Sequence, residues 1–115
     1  MTEQLTENFA RSEFACKCGC GFDDIDIRVV DMLQQVREFF DAPVTVTSGC
    51  RCEVRNNFVG GSPRSQHLYG KAADFIVRNI PASVVQEYCE TLEPGGLGRY
   101  ERFTHIDVRE GRARW

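Results

Sequence analysis

The sequence predicts an α+β fold in which helices flank a small, mainly antiparallel sheet, within one domain of residues 1–115. Three observations predict it. One segment repeats apolar residues at helical spacing, and several short segments are β-branched or apolar enough for strands. These follow one another without the regular β-α-β alternation that marks a parallel sheet. At 115 residues the chain can bury roughly two-thirds of its unfolded surface around a single core. A composition of 42% hydrophobic and 27% charged residues argues against disorder, collagen and coiled coil.

The first helix is the clearest element. After an Asp-rich start at Asp23, Asp24 and Asp26, Val29, Leu33, Val36 and Phe40 recur at helical spacing, and Pro43 closes the run. Val44-Thr45-Val46-Thr47 is β-branched throughout and reads as a short strand leading into Ser48-Gly49. In the stretch from Glu53 to Gln66, the residues Asn56, Asn57, Gly60, Gly61 and Pro63 make the second half a turning loop. Ala72 to Val77 is the second strand. Pro81 suits the first position of another helix running to about Leu92. Pro94-Gly95-Gly96 then forces a break, and Phe103 to Val108 is the last strand. Gly95-Gly96-Leu97-Gly98 is not a phosphate loop, because it lacks the Gly-Lys-Ser/Thr ending and no strand-loop-helix unit surrounds it.

A net charge of −3 and a pI near 5.4 exclude the basic footprint of a nucleic-acid binder. No apolar run approaches the ~20 residues of a membrane span. The start, Met1-Thr2-Glu3-Gln4-Leu5, lacks the basic and apolar regions of a secretory signal. Synthesis in the cytoplasm without a signal peptide, and a monomeric state, are the expectations.

Six cysteines occur as Cys16-Lys17-Cys18-Gly19-Cys20, Cys50-Arg51-Cys52 and Cys89. Structural zinc, disulfides and reduced thiols are all open states. The one-residue gaps fit the usual C-x(2–4)-C zinc spacing poorly, which weighs against a second, structural ion without closing that reading. Cys89 shares a helical stripe with Val85, Tyr88 and Leu92, where a thiol serves as a small hydrophobe.

The two histidines, His67 and His105, each have an aspartate nearby. Asp74 lies in the apolar strand 72–77, where a carboxylate is costly unless paired, hydrogen-bonded or bound to metal. Alternation along the last strand puts His105 and Asp107 on one face and Ile106 and Val108 on the other. Two histidines and a carboxylate form the ligand set of many catalytic zinc sites, which keep a position open for water. Two plainer readings stay open: a structural His-Asp hydrogen bond, and pairing of Asp74 with Arg51, Arg55 or Arg64.

The segment Ser65-Gln66-His67-Leu68-Tyr69-Gly70-Lys71-Ala72-Ala73-Asp74 resembles the S-x-H-x-x-G-x-A-x-D motif of the zinc D-alanyl-D-alanine carboxypeptidase family, whose fold is shared with the hedgehog signalling domain. His105-Ile106-Asp107 resembles the closing H-x-D of its compact bacterial and phage branch. Asn8-Phe9 with Ser12-Glu13-Phe14, Thr47 to Arg51, Asn56 with Val59-Gly60-Gly61, and Gly95 to Tyr100 sit where that branch has similar segments, so the likeness covers nearly the whole chain. It implies a hedgehog/DD-peptidase-like fold and a zinc peptidase acting on peptidoglycan stem peptides. One catalytic Zn2+ would be held by His67, Asp74 and His105. Arg51 matches an arginine that binds a substrate carbonyl or carboxylate. Ser65 and Gln66 match positions that orient a ligand from behind it or cap the turn before His67.

Two departures bear on this. Several family members carry their catalytic acid three residues before the last histidine, where this chain has Arg102. Asp107 is then the expected general base, with Glu101 as a substitute; the competing role for Asp107 is a hydrogen bond that fixes His105 or an arginine. Cys50 stands where an aromatic residue is common. The expectation is therefore a D-Ala-D-Ala carboxypeptidase or stem-peptide endopeptidase working at the bacterial cell wall, and a phage or prophage lysis enzyme or virion component would reconcile that location with the missing export signal. A catalytically silent wall-binding module of the same fold and a small thiol or zinc-cluster protein are the alternatives.

Overall fold

A computed structural model describes residues 3–115; Met1 and Thr2, which open the segment read above for an export signal, lie outside the described residues. A small hairpin of β1 (Gln4–Thr6) and β2 (Phe9–Ala10) precedes a 3-10 turn at Arg11–Phe14. There follow α1 (Ile27–Phe40), β3 (Val44–Ser48), α2 (Glu53–Phe58), a second 3-10 turn (Gln66–Tyr69), β4 (Ala72–Val77), α3 (Ala82–Thr91), β5 (Gly96–Arg99), β6 (Thr104–Asp107) and β7 (Ala113–Arg114). The main sheet runs β3-β4-β6-β5-β7 and is antiparallel except for the β5-β7 pair. The fold is thus α+β with a mostly antiparallel sheet. No helix among the described residues is long and apolar enough to cross a membrane.

Local chemistry accounts for the elements. Asp26 caps α1 by accepting from the backbone N–H of Arg28 at 2.9 Å, satisfying a donor that a helix start leaves free. At the other end Asp41 takes a left-handed conformation, and Pro43 bars further helix. The α1 stripe Val29, Leu33 and Val36 is completely enclosed. It packs against the sheet face formed by Val46, Phe75, Val77, Leu97 and Ile106, with Val85 and Cys89 from α3 closing the same core. Cys89 occupies the apolar stripe that its spacing implied. Pro81 is the residue before α3 rather than its first helical position.

The segment Gly95 to Gly98 corrects a sequence expectation. It ends the connection from α3 as foreseen, but Gly96–Arg99 is a strand in the middle of the sheet. Its glycines are needed for what lies above them. A Cβ at Gly96 would overlap the Asp107 carboxylate, and one at Gly98 would stand 2.8 Å from the Trp115 indole. Glycine weakens a strand through entropy, but here it admits two bulky groups to the open face.

Period-2 alternation then sorts the site from the core. On β4, Ala73, Phe75 and Val77 face the helices, and Asp74 faces the opposite side. On β6, Ile106 faces the core, and His105 and Asp107 share the face of Asp74. Register aligns Asp74 with His105 and His105 with Gly98; one step along, Ala72 and Gly96 flank Asp107.

Candidate functional site

His67, Asp74 and His105 converge. Their ligand atoms lie within 4.8 Å of one another, and all three residues are buried. Asp74 and His105 meet because they are register partners on β4 and β6. His67 arrives from the 3-10 turn, whose start is capped by Ser65: its Oγ accepts from the His67 N–H at 3.2 Å. The left-handed Gly70 ends that turn. The His67 and His105 ring centroids are 5.2 Å apart.

Each ring is oriented from behind. His67 Nδ1 lies 2.7 Å from the carbonyl oxygen of Gly49, and His105 Nε2 lies 2.7 Å from Asp107 Oδ2. The Gly49 carbonyl can only accept, which puts a proton on His67 Nδ1; His105 lies between the carboxylates of Asp107 and Asp74, and the tautomer protonated at Nε2 is the one that turns a lone pair toward Asp74. In the neutral rings, His67 Nε2 and His105 Nδ1 are left as lone pairs. They face Asp74 Oδ1 at 3.2 and 2.8 Å. Two lone-pair nitrogens aimed at one carboxylate oxygen are a donor set that a zinc ion completes, and the ring partners behind them are the arrangement that metal-binding imidazoles favour.

The charges around the cluster are balanced by arginines. Arg51 donates through Nη2 to Asp74 Oδ2 at 3.2 Å, through Nε to Ser48 Oγ at 2.9 Å and through Nη1 to Asn56 Oδ1 at 3.1 Å. Metal-type geometry and the Asp74-Arg51 pair therefore coexist, each using a different oxygen of the carboxylate. Arg55 instead lies over the Phe58 ring. Burial acts to raise the Asp74 pKa, but the adjacent His105 and His67 rings, which donate to it when protonated, outweigh burial and hold the carboxyl well below the usual range. Burial lowers the basicity of Arg51. For His105 burial acts downward, and the flanking carboxylates of Asp107 and Asp74 raise the ring above its ordinary value.

Asp107 has no exposed surface. Its oxygens accept from Arg109 Nε, Nη2 and backbone N–H as well as facing His105. Burial opposes its ionisation, yet His105 and Arg109 hold its pKa well below normal. Glu101 and Arg102 are exposed in the turn before β6. A cleft of about 490 Å3 opens over the cluster, lined by Arg51, Arg64, Arg109 and Gln66 and, among described carboxylates, by Asp74 alone.

Sequence reasoning missed part of this wall. Trp115 sits 4.9 Å from the His105 ring and 5.1 Å from the Arg109 guanidinium, and its Nε1 donates to Tyr100 Oη at 2.8 Å. Tyr100 stacks on Phe103 at 4.2 Å. Trp115 is the one tryptophan in the sequence, but nothing in the local pattern signals that β7 returns beside β5.

The six cysteines are free in the structure. Cys16, Cys18, Cys20 and Cys52 form a second cluster whose sulfurs lie within 4.8 Å of one another. Cys50 and Cys89 are buried apart from it, and burial raises both thiols to about 12.

Comparison with known proteins agrees with the geometry. The chain is 31% identical over 97 residues to the peptidoglycan L,D-endopeptidase MepK of Escherichia coli (strain K12), a match covering 76% of this chain and 53% of that protein. It is 35% identical over 78 residues to the zinc D-Ala-D-Ala carboxypeptidase of Streptomyces albus G, covering 63% of this chain and 30% of the relative. A probable peptidoglycan L,D-endopeptidase MepK of Haemophilus influenzae is 37% identical over 51 residues, 43% of this chain and 27% of its own length. The chain thus spans about half the length of the E. coli relative. The Peptidase M15 family model matches residues 7–108, a span that takes in every residue of the His-Asp-His cluster together with Arg51 and Asp107, and the chain belongs to the Peptidase M15 family.

Proposed function

We propose that the chain is a zinc-dependent peptidase that hydrolyses a bond in the peptide stems of bacterial peptidoglycan. The observation that carries this is the convergence of two imidazoles, each held from behind, on one buried carboxylate beneath an open cleft. His67 Nε2, Asp74 Oδ1 and His105 Nδ1 would hold the ion. When bound, zinc lowers the pKa of water to about 7 and polarises a carbonyl. Arg51 is anchored by Ser48, Asn56 and Asp74, and its remaining N–H donors suit a substrate carbonyl or the oxyanion formed from it. With Arg64 and Arg109 on the walls, the cleft favours a peptide that bears carboxylates. Such an enzyme acts at the bacterial cell wall, and release during phage lysis is one route to that substrate.

Asp107 supports a positioning role better than that of general base. It is enclosed, and its oxygens are engaged by Arg109 and His105, so it fixes the tautomer of the ligand ring. Ser65 caps the turn under His67. The absence of a described carboxylate other than Asp74 along the cleft favours a second reading, a wall-binding module that keeps the metal without turnover.

Zinc content and release of new amino groups from purified peptidoglycan test the proposal. The parent protein is expected to release them and His67→Ala to lose both zinc at this site and hydrolysis. Binding of wall material with no release points to the silent module. Hydrolysis by His67→Ala at the parent rate overturns the assignment, and the products distinguish free D-Ala from an endopeptidase cut.

A further inference from the structure

We infer that Cys16, Cys18, Cys20 and Cys52 hold a second zinc ion, a structural one, which ties the Cys16–Cys20 loop to the start of α2 next to Arg51. The sulfur spacing is that of a ligand shell. Cys16 Sγ lies 3.4 Å from Cys18 Sγ and 3.8 Å from Cys52 Sγ, and Cys18 Sγ lies 3.5 Å from Cys52 Sγ. All four sulfurs fall within 4.8 Å of one another. A tetrahedral site with Zn–S bonds near 2.3 Å has sulfurs about 3.8 Å apart. A disulfide would use two of these sulfurs and leave the others crowded against it.

The backbone is shaped for the same purpose. The Cys16 N–H donates to the Phe22 carbonyl at 2.8 Å, and the left-handed Gly19 and Gly21 let the chain double back between them. The Cys52 N–H donates to Cys16 Sγ and the Arg55 N–H to Cys52 Sγ, both at 3.4 Å. Amide donors of this kind stabilise thiolates. On binding, four thiols release four protons to solvent and the ion takes four thiolates, with Lys17 and Arg55 close in sequence to offset the excess negative charge. The unusual one-residue gaps are workable because the fourth ligand comes from a distant segment. That segment matters to the cleft: Gly49 orients His67, Cys50 N–H bonds the Phe14 carbonyl at 2.8 Å, and Arg51 pairs with Asp74.

The test needs no activity. Elemental analysis of the full chain should give two zinc ions per molecule, falling to one in His67→Ala and to one in a Cys18→Ser/Cys20→Ser variant. Cobalt exchanged for zinc should show the intense thiolate-to-cobalt charge-transfer band in the parent and in His67→Ala, and lose it in the cysteine variant. If that variant does not fold, alkylation of the parent decides. Cys18 and Cys20 are exposed, so protection from alkylation until a chelator is added supports the ion. Immediate alkylation, disulfides in the intact mass under denaturing non-reducing conditions, or a cobalt spectrum without the thiolate band each overturns the inference. Loss of zinc from the His-Asp-His cluster alone leaves the thiolate band intact, which separates this result from the fate of the proposed peptidase function.

Discussion

At the residue scale, the site is a set of proton assignments imposed by acceptors. The Gly49 carbonyl accepts from the far nitrogen of His67 and Asp107 faces the far nitrogen of His105; with the protons held there, the near nitrogens are free to bind a cation. Asp107→Asn keeps the shape but removes the charge that holds His105 Nε2–H and pairs with Arg109. We expect zinc affinity or peptidase activity to fall by ~10–100-fold. Zinc titration with a competing chelator checks the first, and a drop in activity at saturating zinc with unchanged affinity would instead point to Asp107 taking part in proton transfer.

At the scale of elements, the cleft wall depends on a short strand held by backbone hydrogen bonds to β5 and by ion pairs. Glu90 on α3 accepts from Arg99 on β5, from Arg112 and from Arg114 on β7, so it staples the helix to the edge of the sheet that carries Trp115. The Arg114 hydrogen bond leads in holding the Glu90 carboxyl below its usual value. A carboxylate with a depressed folded-state pKa stabilises the fold above its unfolded pKa, about 4.3 for Glu. That contribution is lost as the pH falls through the lower folded-state value. Glu90→Gln is therefore expected to lower Tm at neutral pH and to flatten its decline below about pH 4.3, as thermal unfolding across acidic buffers will show. The effect should shrink at high salt because the arginines are partly exposed.

Over the whole molecule, one sheet separates two kinds of surface. Its helix-covered face is apolar and packed, and its other face carries Asp74 and His105 of the proposed zinc site, which need a rigid backing to stay aligned. Leu33 is completely enclosed between α1 and that sheet. Leu33→Ala is expected to cost about 2–5 kcal/mol through lost burial and a residual cavity, measured by urea unfolding with an unchanged slope. Zinc affinity of the folded fraction should stay near the parent value, since the proposed ligands hang from the backbone of β4, β6 and the 3-10 turn at Gln66–Tyr69 rather than from the core side chains.

Much of this was legible in the one-dimensional pattern. The 3.6-residue stripe of α1, the β-branched run of β3, the apolar run of β4 with its misplaced Asp74, and the shared face of His105 and Asp107 are local properties, because helix and strand periods assign faces without reference to the rest of the chain. The resemblance around His67 and His105 singled out three residues that the fold brings together. The strand at Gly96–Arg99, the return of Trp115 beside it, the Gly49 carbonyl behind the His67 ring and the gathering of Cys52 with Cys16, Cys18 and Cys20 were not legible. Each depends on register between segments remote in sequence, and a glycine's lack of a side chain or a cysteine's odd spacing acquires its meaning only from the group that packing brings against it.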